Sequence, residues 1–291
     1  MKLNKDTNIL IIGLGVIGGG YASALTEQGY RVKCITKEEK DVEYAMSHKM
    51  INYGTTKVDE NLIKEADLII FALYPTVFIE WVEKYHHCFK DGAIITDVTG
   101  VKCTVVEKIQ SLISPKVEFI SAHPMAGRER SGVEYSDPNV FKGANYIITP
   151  TEKNTESAIS LCRELGETLG FARISVLSPK EHDEMIAFLS QLTHCIAVTL
   201  MTCNENEGLE KYTGDSFRDL TRIAKINDAM WSELFLMNKE ALLAEMTSFM
   251  NEFEKLKSML ENDDKDGMRE MMRRSTSRRS LFDKPIKNKI N

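Results

Sequence analysis

Residues 8–20 read Asn-Ile-Leu-Ile-Ile-Gly-Leu-Gly-Val-Ile-Gly-Gly-Gly, an apolar run that leads directly into closely spaced glycines. The run 8–12 is typical of a buried parallel strand, and the residues after the glycines predict a helix. Between them, Gly13, Gly15 and Gly18 form the pattern G-x-G-x-x-G, which permits a tight turn, close approach of a pyrophosphate and close packing of helix on strand. The start of such a helix also offers N–H groups to phosphate oxygens. The stretch therefore predicts a dinucleotide-binding unit, and the alternative is a glycine turn with a purely structural role.

The second predicted strand, 31–35, ends without the acidic residue that usually binds the ribose 2′-hydroxyl of NAD. It ends at Thr36 and Lys37, a hydroxyl and a cation, which suit a 2′-phosphate better than a 2′-hydroxyl. The sequence therefore favours NADP over NAD. The alternative is that Lys37 and Lys40 are ordinary surface charges and that NAD binds through other contacts. The residues that we expect to bind the cofactor are Gly13, Gly15, Val16, Ile17, Gly18, Thr36, Lys37, Leu73 and Thr99.

The composition is that of a soluble globular protein, with 43% hydrophobic and 27% charged residues among 291. A formal net charge of −6 argues against a general nucleic-acid binder. The 6 cysteines show no zinc-binding spacing, so we expect reduced thiols, no metal and a cytoplasmic location. The apolar segment 185–201 is shorter than the roughly 20 residues of a membrane span and contains Gln191 and His194. We therefore expect neither a membrane nor a nucleic acid among the partners.

Strand and helix patterns alternate over residues 1–177 and then give way to helices alone. Strands are predicted at 8–12, 31–35, 67–73, 93–97, 117–122, 145–149 and 172–176. The alternation is typical of an α/β fold with a Rossmann-type, doubly wound, mostly parallel sheet. Helices are predicted over 180–204, 215–224, 228–260 and 267–280, which makes residues 178–291 an all-α domain. Because so small a helical unit buries its apolar faces poorly on its own, we expect it to form a homodimer.

Two polar segments follow predicted strands, at the sheet edge where open α/β folds bind their ligands. One is Asp97-Val-Thr-Gly-Val-Lys102, and the other begins His123-Pro-Met-Ala-Gly. Pro124 disfavours a helix at His123 and keeps this second segment extended, as a loop after its strand. A neutral imidazole can take the hydroxyl proton of an alcohol while a hydride leaves to the cofactor. The position therefore predicts His123 as the general base of a dehydrogenase.

These motifs resemble those of the prephenate/arogenate dehydrogenase family of tyrosine biosynthesis, and the resemblance covers nearly the whole chain. The matching segments occur in the expected order and are 13–19, 96–102, 123–132, 188–194, 217–225 and Met230-Trp231. The resemblance implies NAD(P)-dependent oxidative decarboxylation of prephenate, a small dicarboxylate, to 4-hydroxyphenylpyruvate. Hydride would pass from the ring carbon that bears the hydroxyl to the nicotinamide. CO2 would leave, and aromatisation of the ring would drive the reaction.

The resemblance also implies a role for each matched residue. His123 matches the catalytic histidine that accepts a hydrogen bond from the substrate hydroxyl. Arg222 matches the arginine that binds a substrate carboxylate. His194 matches a histidine on the substrate side, Glu129 an acidic residue that gates or orders the site, and Trp231 a supporting residue near it. Without the resemblance, His194 would be interpreted as a core histidine and Arg222 as a surface charge. The family usually dimerises through the helical domain.

The chain departs from the family pattern beside the predicted base and in the helical domain. Thr99-Gly100 stands where the family commonly has Gly-Ser, whose hydroxyl bridges the histidine, the substrate and the nicotinamide. We expect Thr99 to supply that hydroxyl from the neighbouring position. Gln191-Leu-Thr-His194 replaces a segment that carries a second histidine and a proline in many relatives that use prephenate. Because His194 is retained, we favour prephenate over arogenate, which has an amino group in place of the keto group.

Two other classes of function share this architecture. An oxidoreductase of the β-hydroxyacid type normally uses a catalytic lysine in the helical domain, and the His123 motif argues against it. A non-catalytic dinucleotide-binding protein is the second alternative, and the change at Thr99-Gly100 is the feature in its favour. Detectable turnover would eliminate it, whereas cofactor binding without turnover would support it.

Overall fold

The main sheet has six parallel strands in a computed structural model that describes residues 2–127, 130 and 132–283. The strands are β1 (Ile9–Ile12), β2 (Val32–Ile35), β3 (Tyr53–Thr55), β4 (Leu68–Phe71), β5 (Ile94–Asp97) and β6 (Glu118–Phe119). Their order across the sheet is β3-β2-β1-β4-β5-β6. Strands β1 to β3 are added toward one edge of the sheet and β4 to β6 toward the other, so the strand order reverses between β1 and β4. Dinucleotides bind at such a switch point. The predicted Rossmann-type sheet is therefore confirmed.

Helices cover both faces of this sheet. They are α1 (Val16–Glu27), α2 (Glu39–Ser47), α3 (Glu60–Glu65), α4 (Pro75–Tyr85), α5 (Cys103–Leu112) and α6 (Glu156–Leu169). Successive side chains of a strand point to opposite faces, so β1 contributes to two separate apolar clusters. Ile9 and Ile11 join the cluster around α1 and α6, whereas Leu10 and Ile12 join the cluster around α4 and α5. Burial on both faces explains why β1 is apolar throughout.

A second sheet contains the predicted catalytic histidine. Its strands are β7 (Ser121–Met125), β8 (Asn145–Thr149) and β9 (Arg173–Val176), with β7 antiparallel to β8 and β8 parallel to β9. The prediction of one strand over 117–122 followed by a loop at His123 is wrong, because β6 ends at Phe119 and His123 lies within β7. Pro124 follows it in the same strand. Proline, which has no N–H to donate, fits there because β7 is an edge strand.

After Val176 the described part of the chain contains helices and no strand, as predicted. The helices are α7 (Pro179–Ile186), a π-helical segment (Ala187–Leu192), α8 (Thr193–Thr202), α9 (Asp215–Thr221), a 3₁₀ turn (Arg222–Ala224), α10 (Asp228–Met237), α11 (Lys239–Glu261) and α12 (Lys265–Arg279). A capping box of Ser178 and Glu181 starts α7, with Pro179 in the first helical position. The predicted helix over 180–204 is thus continuous but contains a π-helical segment.

The single helix predicted over 228–260 is two helices in the structure, because the helical conformation is interrupted at Asn238. The side-chain amide of Asn238 donates to the backbone carbonyl of Asp183 and to Oε1 of Gln191, both at 2.8 Å. By internal packing the chain forms two compact units, Met1–Leu242 and Leu243–Asn291. The first unit holds both sheets and the helices up to α10, and in the second an ion pair joins α11 and α12. The predicted domain boundary between residues 177 and 178 stays a prediction.

Candidate active site

Three glycines at the end of β1 have distinct roles in the structure. Gly13 has a φ of +99°, and a Cβ there would lie 2.6 Å from the carbonyl oxygen of Ala72. A Cβ on Gly18 would lie 2.1 Å from the carbonyl oxygen of Gly13, so the helix can approach the strand only with glycine at this position. A Cβ on Gly15, by contrast, would meet no described atom within 4 Å. Gly15 caps α1, so open space lies at the helix N-terminus where a pyrophosphate would bind.

The other predicted cofactor residues lie around these glycines. Val16 and Ile17 form the first turn of α1. Leu73 follows β4, and its side chain would touch a Cβ placed on Gly13. The hydroxyl of Thr36 accepts a hydrogen bond from the N–H of Leu14 at 3.3 Å, which ties the glycine loop to the end of β2. The side chain of Lys37 is 92% exposed, with Glu38 3.9 Å away. Its charge therefore remains largely solvated at the edge of the crevice.

A fully buried ion pair joins Asp97, the last residue of β5, to Lys102. Lys102 Nζ lies 2.9 Å from Asp97 Oδ2, and both side chains have no exposed surface. The other carboxylate oxygen accepts hydrogen bonds from Ser121 Oγ at 2.5 Å and from the N–H of Ala122 at 3.2 Å. The ammonium also donates to the carbonyl of Ala122 at 2.7 Å. Burial lowers the pKa of Lys102, and the Asp97 carboxylate opposes that shift. The pair holds β5 and β7 together directly before His123.

Thr99 belongs to this buried cluster. Its hydroxyl donates to the Asp97 carboxylate, lies 3.0 Å from the carbonyl of Val101 and accepts from Lys102 Nζ at 3.3 Å. These contacts direct the hydroxyl into the protein, and they lend no support to a bridge from Thr99 to His123. The residue beside His123 is Gly100, where a Cβ would lie 3.9 Å from His123 Cε1.

The ring of His123 is held by two residues of α7. His123 Nδ1 lies 2.8 Å from His182 Nε2, and His182 Nδ1 lies 2.8 Å from Asp183 Oδ1. Asp183 in turn accepts the backbone N–H groups of Lys102 and Cys103, each at 2.8 Å, at the N-terminus of α5. The sequence prediction missed His182 and Asp183, because a His-Asp pair in the charged first turns of a helix is typical of a solvated surface. No signal in the sequence alone links the pair to His123.

The surroundings keep His123 neutral. Burial lowers the pKa of His123 well below 6.5, and the nearby His182 ring and Lys102 charge lower it further. Burial also lowers the pKa of His182, against the opposing effect of its hydrogen bond to Asp183. Burial acts to raise the pKa of Asp183, but hydrogen bonds from His182 and from the N–H of Cys103 outweigh it and lower that pKa. A neutral imidazole, supported by a second ring that contacts an ionised carboxylate, suits proton acceptance near neutral pH.

The predicted substrate-side residues meet on α8 and α10. The His194 ring stacks on the indole of Trp231, and His194 Nδ1 lies 2.9 Å from the carbonyl oxygen of Ser190. The 3₁₀ turn that begins with Arg222 lies against α8, with the Arg222 side chain exposed. Glu129 lies outside the described residues.

Helix α10 links this substrate-side group to the base. Leu234, one turn after Trp231, would lie 3.6 Å from a Cβ on Gly100, which is itself next to His123. Gln191, at the second departure from the family pattern, is buried and donates to the backbone carbonyl of Leu234 at 2.9 Å. Position 191 thus serves the packing of α10 in this chain. Helix α10 therefore carries both Trp231, which stacks on His194, and Leu234, which lies close to Gly100.

One group of side chains has the donor types of a metal site. The ligand atoms of Glu60, His87 and Cys88 lie within 4.8 Å of one another. However, Lys64 forms an ion pair with Glu60 at 2.8 Å, and burial raises the pKa of the Cys88 thiol. A metal ion would have to displace an ammonium and a thiol proton there, so the arrangement does not favour metal binding.

A glycine loop at the switch point of the sheet and a buried histidine next to the loop that follows β5 are typical of a dinucleotide-dependent dehydrogenase. Two family models match the chain, "Prephenate dehydrogenase, nucleotide-binding domain" over residues 21–176 and "Prephenate dehydrogenase, dimerization domain" over residues 178–274. The chain therefore belongs to the prephenate dehydrogenase family, and it is an oxidoreductase with a nucleotide-binding domain. The family resemblance expected from the sequence is confirmed.

Individual relatives agree with this assignment. Prephenate dehydrogenase of Lactococcus lactis is 32% identical over 255 residues, which cover 85% of this chain and 70% of the relative. Prephenate dehydrogenase of Bacillus subtilis is 29% identical over 275 residues, which cover 92% and 74%. The crystal structure of prephenate dehydrogenase from A. aeolicus in complex with hydroxyphenyl propionate and NAD+ superimposes with a TM-score of 0.89 at 28% identity. The match covers 97% of this chain and all (100%) of that one.

Proposed function

We propose that the protein is a prephenate dehydrogenase, which converts prephenate to 4-hydroxyphenylpyruvate with NAD(P)+. The observation that carries the proposal is the position of the His123 ring, whose Nδ1 lies 2.8 Å from His182 Nε2 and which lies next to Gly100, in the segment that follows β5. Membership of the prephenate dehydrogenase family supports the choice of substrate. Bound NAD(P)+ would supply the hydride acceptor.

The chain's own residues would bind the substrate and move one proton. The substrate hydroxyl donates to His123 Nε2, which takes its proton as the carbon that bears the hydroxyl loses a hydride. Once the ring has lost CO2, His123 returns this proton to the phenolate oxygen. Arg222 binds a substrate carboxylate through a charge-assisted hydrogen bond. His194 and Trp231 form the wall of the substrate side, and Glu129 orders or gates the site. For Thr99, the role of a hydroxyl that bridges the histidine, the substrate and the nicotinamide stays a proposal. The hydrogen bond from its hydroxyl to Asp97 does not favour this role.

We favour NADP over NAD, because no acidic side chain follows β2. The N–H of Leu14 uses the hydroxyl of Thr36 as an acceptor, so Lys37 is the stronger candidate for a 2′-phosphate contact. Its side chain is exposed, and its distance of 3.9 Å from Glu38 makes that ion pair weak.

We also propose a cytoplasmic homodimer formed through residues 178–291. The match to a dimerization-domain model supports this assembly. The continuous helix Pro179–Thr202 is long and apolar enough to cross a membrane by length and composition, and 28% of its most apolar window is buried within the chain. A partner subunit would cover the rest of such an apolar helix.

Formation of reduced cofactor in four parallel assays tests the proposal, with prephenate or arogenate and with NAD+ or NADP+. We expect the highest kcat/KM with prephenate and NADP+. Higher kcat/KM with arogenate would transfer the proposal to arogenate dehydrogenase, the alternative. The variant His123→Asn should bind cofactor normally and lose roughly 10²–10⁴-fold in turnover, the range for a general base. Cofactor binding without turnover in all four assays would overturn the proposal and support a non-catalytic dinucleotide-binding protein.

A further inference from the structure

We propose that His182 and Asp183 act as a proton relay behind His123, so that the positive charge created when His123 takes the substrate proton moves to the His182–Asp183 pair. The inference deepens the proposed function and rests on it for the identity of the proton donor. It stands on an unbroken row of two hydrogen bonds, from His123 Nδ1 to His182 Nε2 and from His182 Nδ1 to Asp183 Oδ1, each 2.8 Å long.

The row fixes the tautomer of each ring. The carboxylate of Asp183 only accepts hydrogen bonds, so the proton between it and His182 belongs to His182 Nδ1. The neutral His182 ring then has its lone pair on Nε2 and accepts the proton carried by His123 Nδ1. His123 is left with its lone pair on Nε2, the nitrogen that the reaction requires. Asp183 thus determines, through His182, which nitrogen of His123 is the base.

Asp183 is itself held in place by the backbone. Its two carboxylate oxygens accept the N–H groups of Lys102 and Cys103, at the positive end of α5. Its backbone carbonyl accepts the amide of Asn238. Hydrogen bonds from the start of α5 and from Asn238 therefore hold Asp183 in position behind His182.

The proton transfer is balanced within the row. The substrate O–H bond breaks and a bond forms to His123 Nε2, while the hydride leaves to NAD(P)+. The proton on His123 Nδ1 then passes to His182 Nε2, which becomes an imidazolium beside the Asp183 carboxylate. His123 returns to a neutral ring. The transfer moves the positive charge from a ring without a carboxylate partner to a ring that has one. Once CO2 has left and the ring is aromatic, both protons move back: His182 Nε2 returns one to His123 Nδ1, and His123 Nε2 returns the other to the phenolate oxygen, which gives the product its hydroxyl.

The charges that face the two rings give this transfer a direction. Lys102, the residue before α5, acts on both rings and disfavours a proton on either. Asp183 on α7 and Asp97 on β5 both favour a proton on His182, and Asp183 is in direct contact with it. Neither carboxylate is a hydrogen-bond partner of the His123 ring. His182 is therefore the better site for the charge, and both residues of the relay act through His123 as positioning residues.

The test variant is His182→Gln, in which an amide oxygen can still accept from His123 Nδ1 but cannot take up a proton. We expect kcat to fall by roughly 10-fold to 100-fold, as for the loss of one hydrogen bond to a charged group, with little change in KM. The acidic limb of the kcat profile should move to lower pH, because His123 can no longer share its proton. The matched control His48→Gln changes an exposed histidine that contacts Tyr44, and it should match the parent protein in kcat and in the profile.

Two kinetic outcomes would overturn the relay. A parent-like kcat in His182→Gln would mean that only the orientation of His123 matters. An acidic limb that stays in place or moves to higher pH would mean that His182 acts on His123 only by repelling its charge. Cofactor binding and the thermal midpoint of each variant establish that the comparison is between folded proteins.

A second measurement uses the parent protein, so it depends neither on the folding of a variant nor on turnover. Long-range ¹H–¹⁵N spectra of the imidazole groups in the full-length protein report the tautomer of each ring. We expect both His123 and His182 to carry their proton on Nδ1 and to titrate as one coupled pair. A proton on His123 Nε2, or two independent titrations, would overturn the relay. If these spectra are as expected and no substrate pair is turned over, the relay stands and the proposed function fails.

Discussion

The imidazole of His194 lies flat on the indole of Trp231, with ring centroids 3.7 Å apart and planes 29° apart. The two rings come from α8 and α10, which are 37 positions apart at these residues (231 − 194), so the stack fixes one helix against the other. His194 Nδ1 lies 2.9 Å from the carbonyl oxygen of Ser190, one turn earlier in the same helix. The stack and this contact together hold the His194 ring in one orientation.

Replacement of Trp231 by leucine should weaken substrate binding more than turnover. The stack orients His194 but lies apart from the proton transfer at His123, so we expect KM for the substrate to rise roughly 10-fold, the value of one or two aromatic contacts. Trp231→Phe keeps a ring under His194 and should retain most of the affinity. An unchanged KM in Trp231→Leu would remove the stack from the substrate site.

Replacement of Arg222 by glutamine tests the proposed carboxylate contact. Loss of a charge-assisted hydrogen bond should raise KM for the substrate roughly 10-fold to 100-fold and leave the Kd of the cofactor unchanged. The matched control is Arg218→Gln on α9, which removes an arginine that pairs with Asp215 at 2.9 Å. We expect this control to behave like the parent protein. Equal loss of substrate and cofactor binding in Arg222→Gln would indicate damage to the fold instead.

The pH dependence of kcat/KM should show a base that stays active in mild acid. Only the neutral ring of His123 accepts a proton, so activity falls as pH falls through the pKa of the free enzyme. Burial lowers that pKa well below 6.5, so the acidic limb should lie below pH 6.5. Initial rates from about pH 5 to pH 8 measure it. A midpoint above 6.5 would contradict the neutral, buried ring.

Replacement of Lys102 by methionine should be strongly destabilising. It leaves the fully buried carboxylate of Asp97 without its cation, which costs about 3–5 kcal/mol in the free energy of unfolding. Denaturant titration measures the change, and the double variant Asp97→Asn with Lys102→Met should recover part of it. Lys116→Met, which breaks an exposed ion pair with Asp91, should leave the stability nearly unchanged. Equal effects of the two single variants would show that burial of the Asp97–Lys102 pair is unimportant.

Gly100→Ser should be accepted by the fold and should raise turnover. The nearest atoms to a Cβ at this position are 3.6 Å away on Leu234 and 3.9 Å away on His123, which is ordinary contact distance. A hydroxyl there would lie beside the base, where Thr99 does not reach. We expect kcat to rise by up to about 10-fold, the value of one hydrogen bond. The larger variant Gly100→Leu should fill the same space and lower kcat, and reduced turnover in a folded Gly100→Ser would contradict the geometry.

The sequence predicted those parts of the fold that depend on local patterns. The apolar run of β1 and the glycines after it are contiguous, so both the strand and the turn could be recognised. Strand β3 and helix α3 were not predicted, because they have 3 and 6 residues and carry few apolar side chains. The division between β6 and β7 was missed because both strands are extended, and only the pairing of β7 with β8 shows that a new sheet begins.

The motifs pointed to single residues of the candidate site and not to the hydrogen bonds between them. His123, His194 and Trp231 were found by motif, and the structure gathers them around α10. The support behind His123 was missed, because His182 is 59 positions away from it in the sequence. Hydrogen bonds between such distant side chains depend on how helices meet strands, which no local pattern records. For the same reason the sequence did not show that the hydroxyl of Thr99 donates to the buried Asp97.

The contacts of Asp183 show that the reacting imidazole and the groups that orient it come from different parts of the chain. The nucleotide crevice and the reacting imidazole are encoded before residue 177, whereas the groups that orient this imidazole are encoded after it. A chimaera that kept only the first part would retain the cofactor site and His123, but it would lose the hydrogen bonds from His182 and Asp183 that orient the His123 ring. Exchange of halves between related genes would therefore keep His123 oriented only where the contacts between Asp183 and the start of α5 remain compatible.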